Sequence, residues 1–274
     1  MTEHKIGLMI GENKAFIERI AWYSVGVVNL LADVDRQNKT MADGLGTGTA
    51  CTWKGHSLIL TAEHVVAEAE PDSLAFLLRV DDAINWEGMG KSEKVVPRVS
   101  LPVERIVRCK EHDLAAIVLR ANDLAGFRMQ FCELPKQLAT SRTLKREGSL
   151  FLLGYPTDRI FPVAKTKTAN AEANYHAVRP TILTGTIAKP PSKALSSRYA
   201  PERDVLINYE PNDPTMKPYG FSGAAAWKDR AERTDHVWTA DPMIFGVQTS
   251  AFMASRLLQV VGAPAIKEFL EESF

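Results

Sequence analysis

Short segments rich in Val, Ile, Leu and Thr recur through most of the 274 residues, and turn-forming residues separate them. Many short segments of this kind at close spacing predict antiparallel β-strands in a barrel or sandwich. In the first half they are residues 23–31, 46–53, 57–61, 74–80, 94–99, 105–109 and 114–119. In the second half they are residues 149–155, 182–188, 205–209, 223–227, 244–249 and 257–261. The sequence therefore predicts an all-β fold with two six-stranded antiparallel β-barrels and short helices near both ends.

The two groups of strands also suggest how the chain is divided. Residues 122–148 contain Gly, Pro and a polar run, which is typical of a linker between two units. The predicted division is a helical segment at 1–22, a first β-barrel at 23–121, the linker, a second β-barrel at 149–262 and a helix at 263–274. Residues 156–179 and 189–203 are interpreted as long loops of the second barrel, and 189–203, which is rich in Pro and Ser, as an exposed one.

Composition excludes several classes of function. Lys and Arg number 33 and Asp and Glu number 33, so the chain lacks the positive field of a non-specific nucleic-acid binder. No apolar stretch approaches the ~18 residues of a membrane span, and the first residues lack a secretory signal pattern. The three cysteines fit neither a disulfide framework nor a Cys-x-x-Cys site, which favours a reducing, cytoplasmic compartment. We expect neither nucleic acid nor a membrane as a partner.

Three short motifs carry residues with catalytic potential. They are GTGTACTWKGHSLILTAEHVV at 46–66, HDLAAIVL at 112–119 and YGFSGAAAW at 219–227. Each contains one member of a possible Ser-His-Asp set, in the order His64, Asp113 and Ser222. Taken alone, each of these residues is more simply a structural histidine, a turn aspartate or a turn serine, and only their combination favours catalysis.

The chemistry explains why these residue types belong together. A serine hydroxyl is a weak nucleophile and needs a base within hydrogen-bond reach, and histidine has an ordinary pKa near neutrality. A carboxylate such as Asp113 would hold the imidazole of His64 in the correct tautomer. The negative charge that develops on the substrate needs preorganised donors, and the backbone N–H groups of Gly220 and Ser222 are the candidates.

The three motifs resemble those of the chymotrypsin/trypsin-fold serine peptidases, especially the bacterial branch that includes the HtrA-type proteases. Thr61 to Val65 resembles the turn that ends at the catalytic histidine, Asp113 to Ala116 the "DLAL" strand, and Gly220 to Ala224 the "GDSGG" segment. Supporting matches are GYP at 154–156, TGTI at 184–187 and FGVQTS at 245–250. The resemblance implies a chymotrypsin-like double barrel and a serine endopeptidase that uses an acyl-enzyme intermediate, protein or peptide substrates and no cofactor or metal. About 50 residues follow Ser222, which is too few for an added PDZ domain after the second barrel and its helix, so a stand-alone protease domain is expected.

Some positions depart from the family pattern. Phe221 stands where the family has the acidic residue that pairs with a newly cut N-terminus, so another means of ordering the site is expected. Val65 replaces a disulfide-forming cysteine, in agreement with a reducing compartment. Met216 lies where the family often has its specificity determinant and is not acidic, which favours apolar over basic substrate side chains. The resemblance assigns Met216, Thr249 and Ser250 to substrate binding.

Competing interpretations follow from the same residues. GFSGA also fits a loose nucleophile elbow of the α/β-hydrolases, but a loop rather than a strand precedes this serine. The main alternative is a non-catalytic binding or scaffold protein of the same fold, which Phe221 favours. An intermediate hypothesis is a protease that stays latent until an activating protein partner orders its site.

Overall fold

The computed structural model describes residues 14–29, 45–78, 95–127, 129–140, 148–157, 160–168, 171–178, 180–189, 199–210, 217–230 and 241–274. Helix α1 is Lys14–Tyr23 and helix α2 is Ala263–Ser273. The strands of the first half are β1 (Ser24–Asn29), β2 (Leu45–Trp53), β3 (His56–Ala62), β4 (Leu74–Leu77), β5 (Val95–Val99), β6 (Val103–Cys109), β7 (Leu114–Leu119) and β8 (Cys132–Glu133). Those of the second half are β9 (Ser149–Gly154), β10 (Ile160–Thr168), β11 (Ala171–Val178), β12 (Thr181–Ile187), β13 (Asp204–Glu210), β14 (Ala225–Asp229), β15 (Pro242–Phe252) and β16 (Leu257–Gly262).

The second half closes into a barrel, and the first half forms a half-barrel sheet. The closed barrel has the strand order β12-β13-β16-β15-β14-β9, and closure leaves it without an unpaired edge. The half-barrel sheet runs β10-β11-β5-β4-β1-β2-β3-β7-β6, and β8 pairs in parallel with β2. The prediction of an all-β, double-barrel fold with two short terminal helices is therefore confirmed.

One interpretation of the sequence is wrong. Residues 156–179 are not a long loop, because β10 and β11 pair with each other as an antiparallel hairpin. Strand β11 then pairs with β5, so the hairpin extends the sheet of the first half. The segment is rich in Lys, Thr, Asn and Ala. Lys, Asn and Ala are uncommon in strands, so this composition did not predict strands. Strand pairing needs only backbone groups, and here the pairing partner comes from a distant part of the chain.

The turn between β2 and β3 is a tight, two-residue β-hairpin turn. The strands pair Trp53 with His56, so only Lys54 and Gly55 connect them. Both residues have positive φ, at 45° and 87°, as a two-residue turn of type I′ requires. This tight hairpin fixes the register of β3, which leads directly to His64.

The two halves share a hydrophobic core. Phe16 and Ile20 of α1 and Leu60 of β3 belong to the same cluster of buried side chains as Trp227 and Phe245 of the closed barrel. Burial of each large apolar side chain of this kind contributes about 1.5–3 kcal/mol to stability. Apolar packing therefore fixes how the halves lie against each other. No helix in the described ranges is long and apolar enough to cross a membrane.

Candidate active site

His64 lies in a turn that brings it beside Asp113. The 3-10 turn Glu63–Val65 follows β3, and β3 pairs with β7 so that Ala62 is opposite Leu114. Two backbone donors attach this turn to Asp113: Glu63 N donates to the Asp113 carbonyl oxygen at 3.1 Å, and His64 N donates to Oδ1 at 3.0 Å. The pairing of the two strands thus delivers the histidine to the start of β7.

The side chains of His64 and Asp113 are hydrogen-bonded. Nδ1 of His64 lies 2.9 Å from Oδ2 and 3.0 Å from Oδ1 of the carboxylate. An ionised carboxylate only accepts hydrogen bonds, so this contact assigns the proton to Nδ1 and leaves Nε2 as the free acceptor. Asp113 has φ 51°, a left-handed conformation that Asp tolerates better than most residues.

Ser222 belongs to a loop of the second half that packs directly on β2 and β3. Thr47 N donates to the Ser222 carbonyl oxygen at 2.8 Å. The next residue, Gly223, has φ 89°, and a Cβ there would lie 2.0 Å from the Thr47 carbonyl oxygen and 2.2 Å from Thr61 Oγ1. Only glycine fits this close approach. The fold therefore brings the serine loop against the strand that ends at the turn of His64.

The hydroxyl of Ser222 has no hydrogen-bond partner among the residues that the structure describes. Within the described part of the chain it makes no hydrogen bond shorter than 3.5 Å, either to the ring of His64 or to another group. A nucleophile and its base often lie apart in a substrate-free site and approach when substrate binds.

The backbone N–H groups of Gly220 and Ser222 point away from the hydrogen bonds that the preceding carbonyl groups accept. In a trans peptide the C=O and N–H groups have opposite directions. The Tyr219 carbonyl accepts a bond from Thr157 N at 3.0 Å, and the Phe221 carbonyl accepts one from Ala224 N at 2.7 Å. The N–H groups of the following residues, Gly220 and Ser222, thus face the other side, and neither has an acceptor among the described residues.

Two buried contacts hold this loop in shape. Phe221 is fully buried in the shared core and packs so tightly on Gly154 that a Cβ there would lie 2.5 Å from its ring. The hydroxyl of Thr47 donates to the Gly220 carbonyl oxygen at 2.7 Å and accepts a bond from Tyr155 N at 3.1 Å. The loop is therefore ordered by apolar burial and by hydrogen bonds within the described residues.

Known structures resemble this chain, whereas the comparisons of its sequence found no match. No family model matches the chain, and no curated protein matches it. The active form of the Rv3671c protease from M. tuberculosis is similar in structure, with 15% identity and a TM-score of 0.54, over 96% of this chain and 85% of that one. The chain has the chymotrypsin fold. An inactivated protease paralogue from the scabies mite is also similar, with 13% identity and a TM-score of 0.50, over 94% and 97% of the two chains.

The resemblance seen in the motifs is thus confirmed for the fold. Because the chymotrypsin fold also occurs in an inactivated paralogue, the fold does not decide whether this chain is catalytic. That question depends on the residues described above.

Two of the three residues assigned to substrate binding line the same cavity as Asp113. Thr249 and Ser250 lie on β15, where the pairing with β16 shifts register between Gln248 and Ser250. With Asp113 they line a cavity of about 670 Å³. Met216 lies outside the described residues, so its role in specificity stays a prediction. No cluster of three or more His, Cys, Asp or Glu residues in the described ranges could hold a metal ion.

Sequence reasoning missed Thr47, which contacts the loop of Gly220 and Ser222 through its backbone and its side chain. The only signal in the sequence is that Thr47 belongs to the first of the three motifs, at residues 46–66. Phe221 was noted only as a departure from the family pattern, and its complete burial gives it a positive role.

Proposed function

We propose that this chain is a serine endopeptidase that hydrolyses peptide bonds of protein or peptide substrates. The observation that carries the proposal is the bond between His64 Nδ1 and the carboxylate of Asp113, at 2.9 Å. It leaves Nε2 available to accept a proton. In the loop of Ser222, the serine hydroxyl and the N–H groups of Gly220 and Ser222 have no hydrogen-bond partner among the described residues.

Each residue has one task in the proposed reaction. Ser222 Oγ attacks the substrate carbonyl carbon while His64 Nε2 takes the hydroxyl proton. The N–H groups of Gly220 and Ser222 bind the resulting oxyanion, and Asp113 stabilises the imidazolium. His64 then gives the proton to the leaving amine, and an acyl-enzyme forms. Water, deprotonated by His64, attacks the ester carbonyl carbon. The ester C–O bond then breaks, and His64 returns the proton to Ser222 Oγ.

The burial of Phe221 supports a loop that is ordered without help from a newly cut N-terminus. Phe221 stands at the position where the family that the motifs resemble has an acidic residue, and its apolar ring lies in the core. An aromatic ring fully removed from water contributes about 1.5–3 kcal/mol, enough to hold a short loop in one conformation.

A second candidate is a non-catalytic or latent protein of the same fold. The lack of a hydrogen bond from Ser222 Oγ to any described residue favours this alternative, because a base activates a nucleophile only within hydrogen-bond reach. In the latent form, an activating partner would shift the loop so that the hydroxyl meets His64.

Labelling with a fluorophosphonate separates these hypotheses. The full-length chain and its Ser222→Ala variant are incubated with the probe, and adducts are mapped by peptide mass spectrometry. We expect one adduct, on Ser222 of the wild type. Ser255→Ala, which removes an exposed serine hydroxyl, is the matched control and keeps full labelling.

The alternatives predict other results. Labelling of Ser222 only after addition of a cell lysate supports the latent protease and its activating partner. If the folded wild type stays unlabelled both with and without lysate, the peptidase hypothesis is overturned. The scaffold hypothesis then remains.

We further propose a cytoplasmic location. Cys51 and Cys132 are opposite each other in neighbouring strands and are nevertheless free thiols, as in a reducing compartment. Cell fractionation tests this proposal, and finding the protein only outside the cytoplasm overturns it.

A further inference from the structure

The side chain of Arg203 joins the second half of the molecule to the turn that carries Asp113. Arg203 directly precedes β13, whereas Glu111 and His112 directly precede Asp113 in the first half. Nη1 of Arg203 donates to the Glu111 carbonyl oxygen at 3.0 Å and lies 3.4 Å from His112 Nδ1. Arg203 therefore connects the second half of the molecule to the two residues that precede Asp113 in the first half.

The guanidinium group is itself held rigidly. Nε donates to Asp204 Oδ1 at 2.7 Å and Nη2 donates to Oδ2 at 2.9 Å, a two-point contact. The Asp204 side chain is 0% exposed and also accepts bonds from Ala200 N at 2.9 Å and Gln259 Nε2 at 2.7 Å. The hydrogen bond with Asp204 raises the pKa of Arg203, so the guanidinium stays charged.

The turn that receives this contact has little support of its own. Within the turn, Asp113 N donates to the Lys110 carbonyl oxygen over a long 3.4 Å. Asp113 also has positive φ, a conformation that costs energy for a residue with a side chain. A shift of the Glu111 carbonyl would move Asp113 and, through it, the ring of His64.

We propose that Arg203 is a positioning residue for the site, and this inference rests on the proposed peptidase function. Its guanidinium, anchored on Asp204, fixes the turn of Asp113 relative to the half that carries Ser222. The base and the nucleophile come from different halves, so this contact adds to the shared core and to the Thr47 bonds in aligning them. Misalignment on the scale of 1 Å can lower a reaction rate about 10²-fold.

The test compares Arg203→Lys with the matched control Arg120→Lys. Lysine keeps a positive charge beside Asp204 but cannot form the two-point contact and reach Glu111 as well. Arg120 pairs with Asp123 on the surface and does not contact the site. The double variant Arg203→Met/Asp204→Asn removes the charge pair together, in case the single variant folds poorly.

Two readouts are needed. Fluorophosphonate inactivation is measured over a range of probe concentrations, which separates the maximal rate from the concentration for half-maximal rate. We expect the maximal rate to fall roughly 10- to 10²-fold in Arg203→Lys, while the half-saturating concentration changes little. The second readout is long-range proton–nitrogen NMR of the His64 ring, assigned with His64→Ala, which reports the Nδ1 tautomer and its bond to Asp113.

The outcomes are distinguishable. Altered ring nitrogen shifts of His64 in Arg203→Lys, with Arg120→Lys unchanged, support the positioning role even if the wild type is not labelled and the peptidase function fails. Unchanged ring shifts in both Arg203 variants overturn the positioning role. If the wild type is labelled, an unchanged maximal labelling rate in both variants also overturns it.

Discussion

Thr47 Oγ1 donates a hydrogen bond of 2.7 Å to the Gly220 carbonyl oxygen, and so a strand of the first half holds the candidate oxyanion loop of the second. The same hydroxyl accepts a bond from Tyr155 N at 3.1 Å. Thr47 is fully buried, so neither partner could turn to water if the hydroxyl were removed. This residue therefore couples the stability of the protein to the shape of its site.

Replacing Thr47 by Val removes that hydroxyl with little change in volume. The carbonyl of Gly220 and the N–H of Tyr155 lose a buried partner, so we expect a loss of about 1–3 kcal/mol in the free energy of unfolding. Urea denaturation measures it. Thr49→Val is the matched control, since its buried hydroxyl has no hydrogen-bond partner among the described residues. An equal loss in both variants would contradict the argument.

Replacing Gly220 by Ala is expected to lower the rate of fluorophosphonate labelling at least about 10²-fold. Gly220 has φ 89°, and an added Cβ would lie 2.2 Å from the Tyr155 carbonyl oxygen, so the backbone must move and the N–H group with it. The rate is measured by quenching the labelling reaction at set times and determining the labelled fraction by intact-protein mass spectrometry. Gly126→Ala is the control, because a Cβ there meets nothing within 4 Å. Labelling of Gly220→Ala at the wild-type rate would exclude this N–H as an oxyanion donor.

Much of the fold could be predicted because its signals are local. Residues 114–119 form β7 as expected, and helix α2 lies within one residue of its predicted bounds. Runs of Val, Ile and Leu between turn residues carry this information in the sequence itself. The hairpin of β10 and β11 could not be predicted, because it depends on pairing with β5, more than 60 residues earlier in the chain.

The candidate site divides in the same way. The motifs around His64 and Asp113 identified two residues that the structure brings within 2.9 Å of each other. The contact between Arg203 and Glu111 joins residues 92 positions apart and has no sequence signature, since any surface Arg next to an Asp has the same pattern. Side chains that hold a site together across two halves are visible only in three dimensions.

Reactivity of the three cysteines provides a test of packing. Cys51 and Cys132 are fully buried, and burial, together with the neighbouring thiol of Cys51, raises the pKa of Cys132 well above its ordinary value. The thiolate is the reactive form, so we expect iodoacetamide to modify the partly exposed Cys109 first. Timed alkylation and peptide mass spectrometry measure the order, and all three should react alike in urea. Faster modification of Cys132 in the folded protein would contradict the described packing.

Replacing Asp113 by Asn tests the pairing on which the proposed function depends. Asn has nearly the same size and also tolerates positive φ, so the turn should keep its shape and the variant its stability. The amide can present an N–H to His64 Nδ1, which favours the wrong tautomer, and we expect peptide hydrolysis to fall by about 10⁴. Asp123→Asn, which alters an exposed ion pair with Arg120, is the control and should retain full activity. The activity of both variants is measured by hydrolysis of fluorescein-labelled casein, and thermal unfolding checks that both are folded. A folded Asp113→Asn variant with wild-type activity would remove the carboxylate from the mechanism.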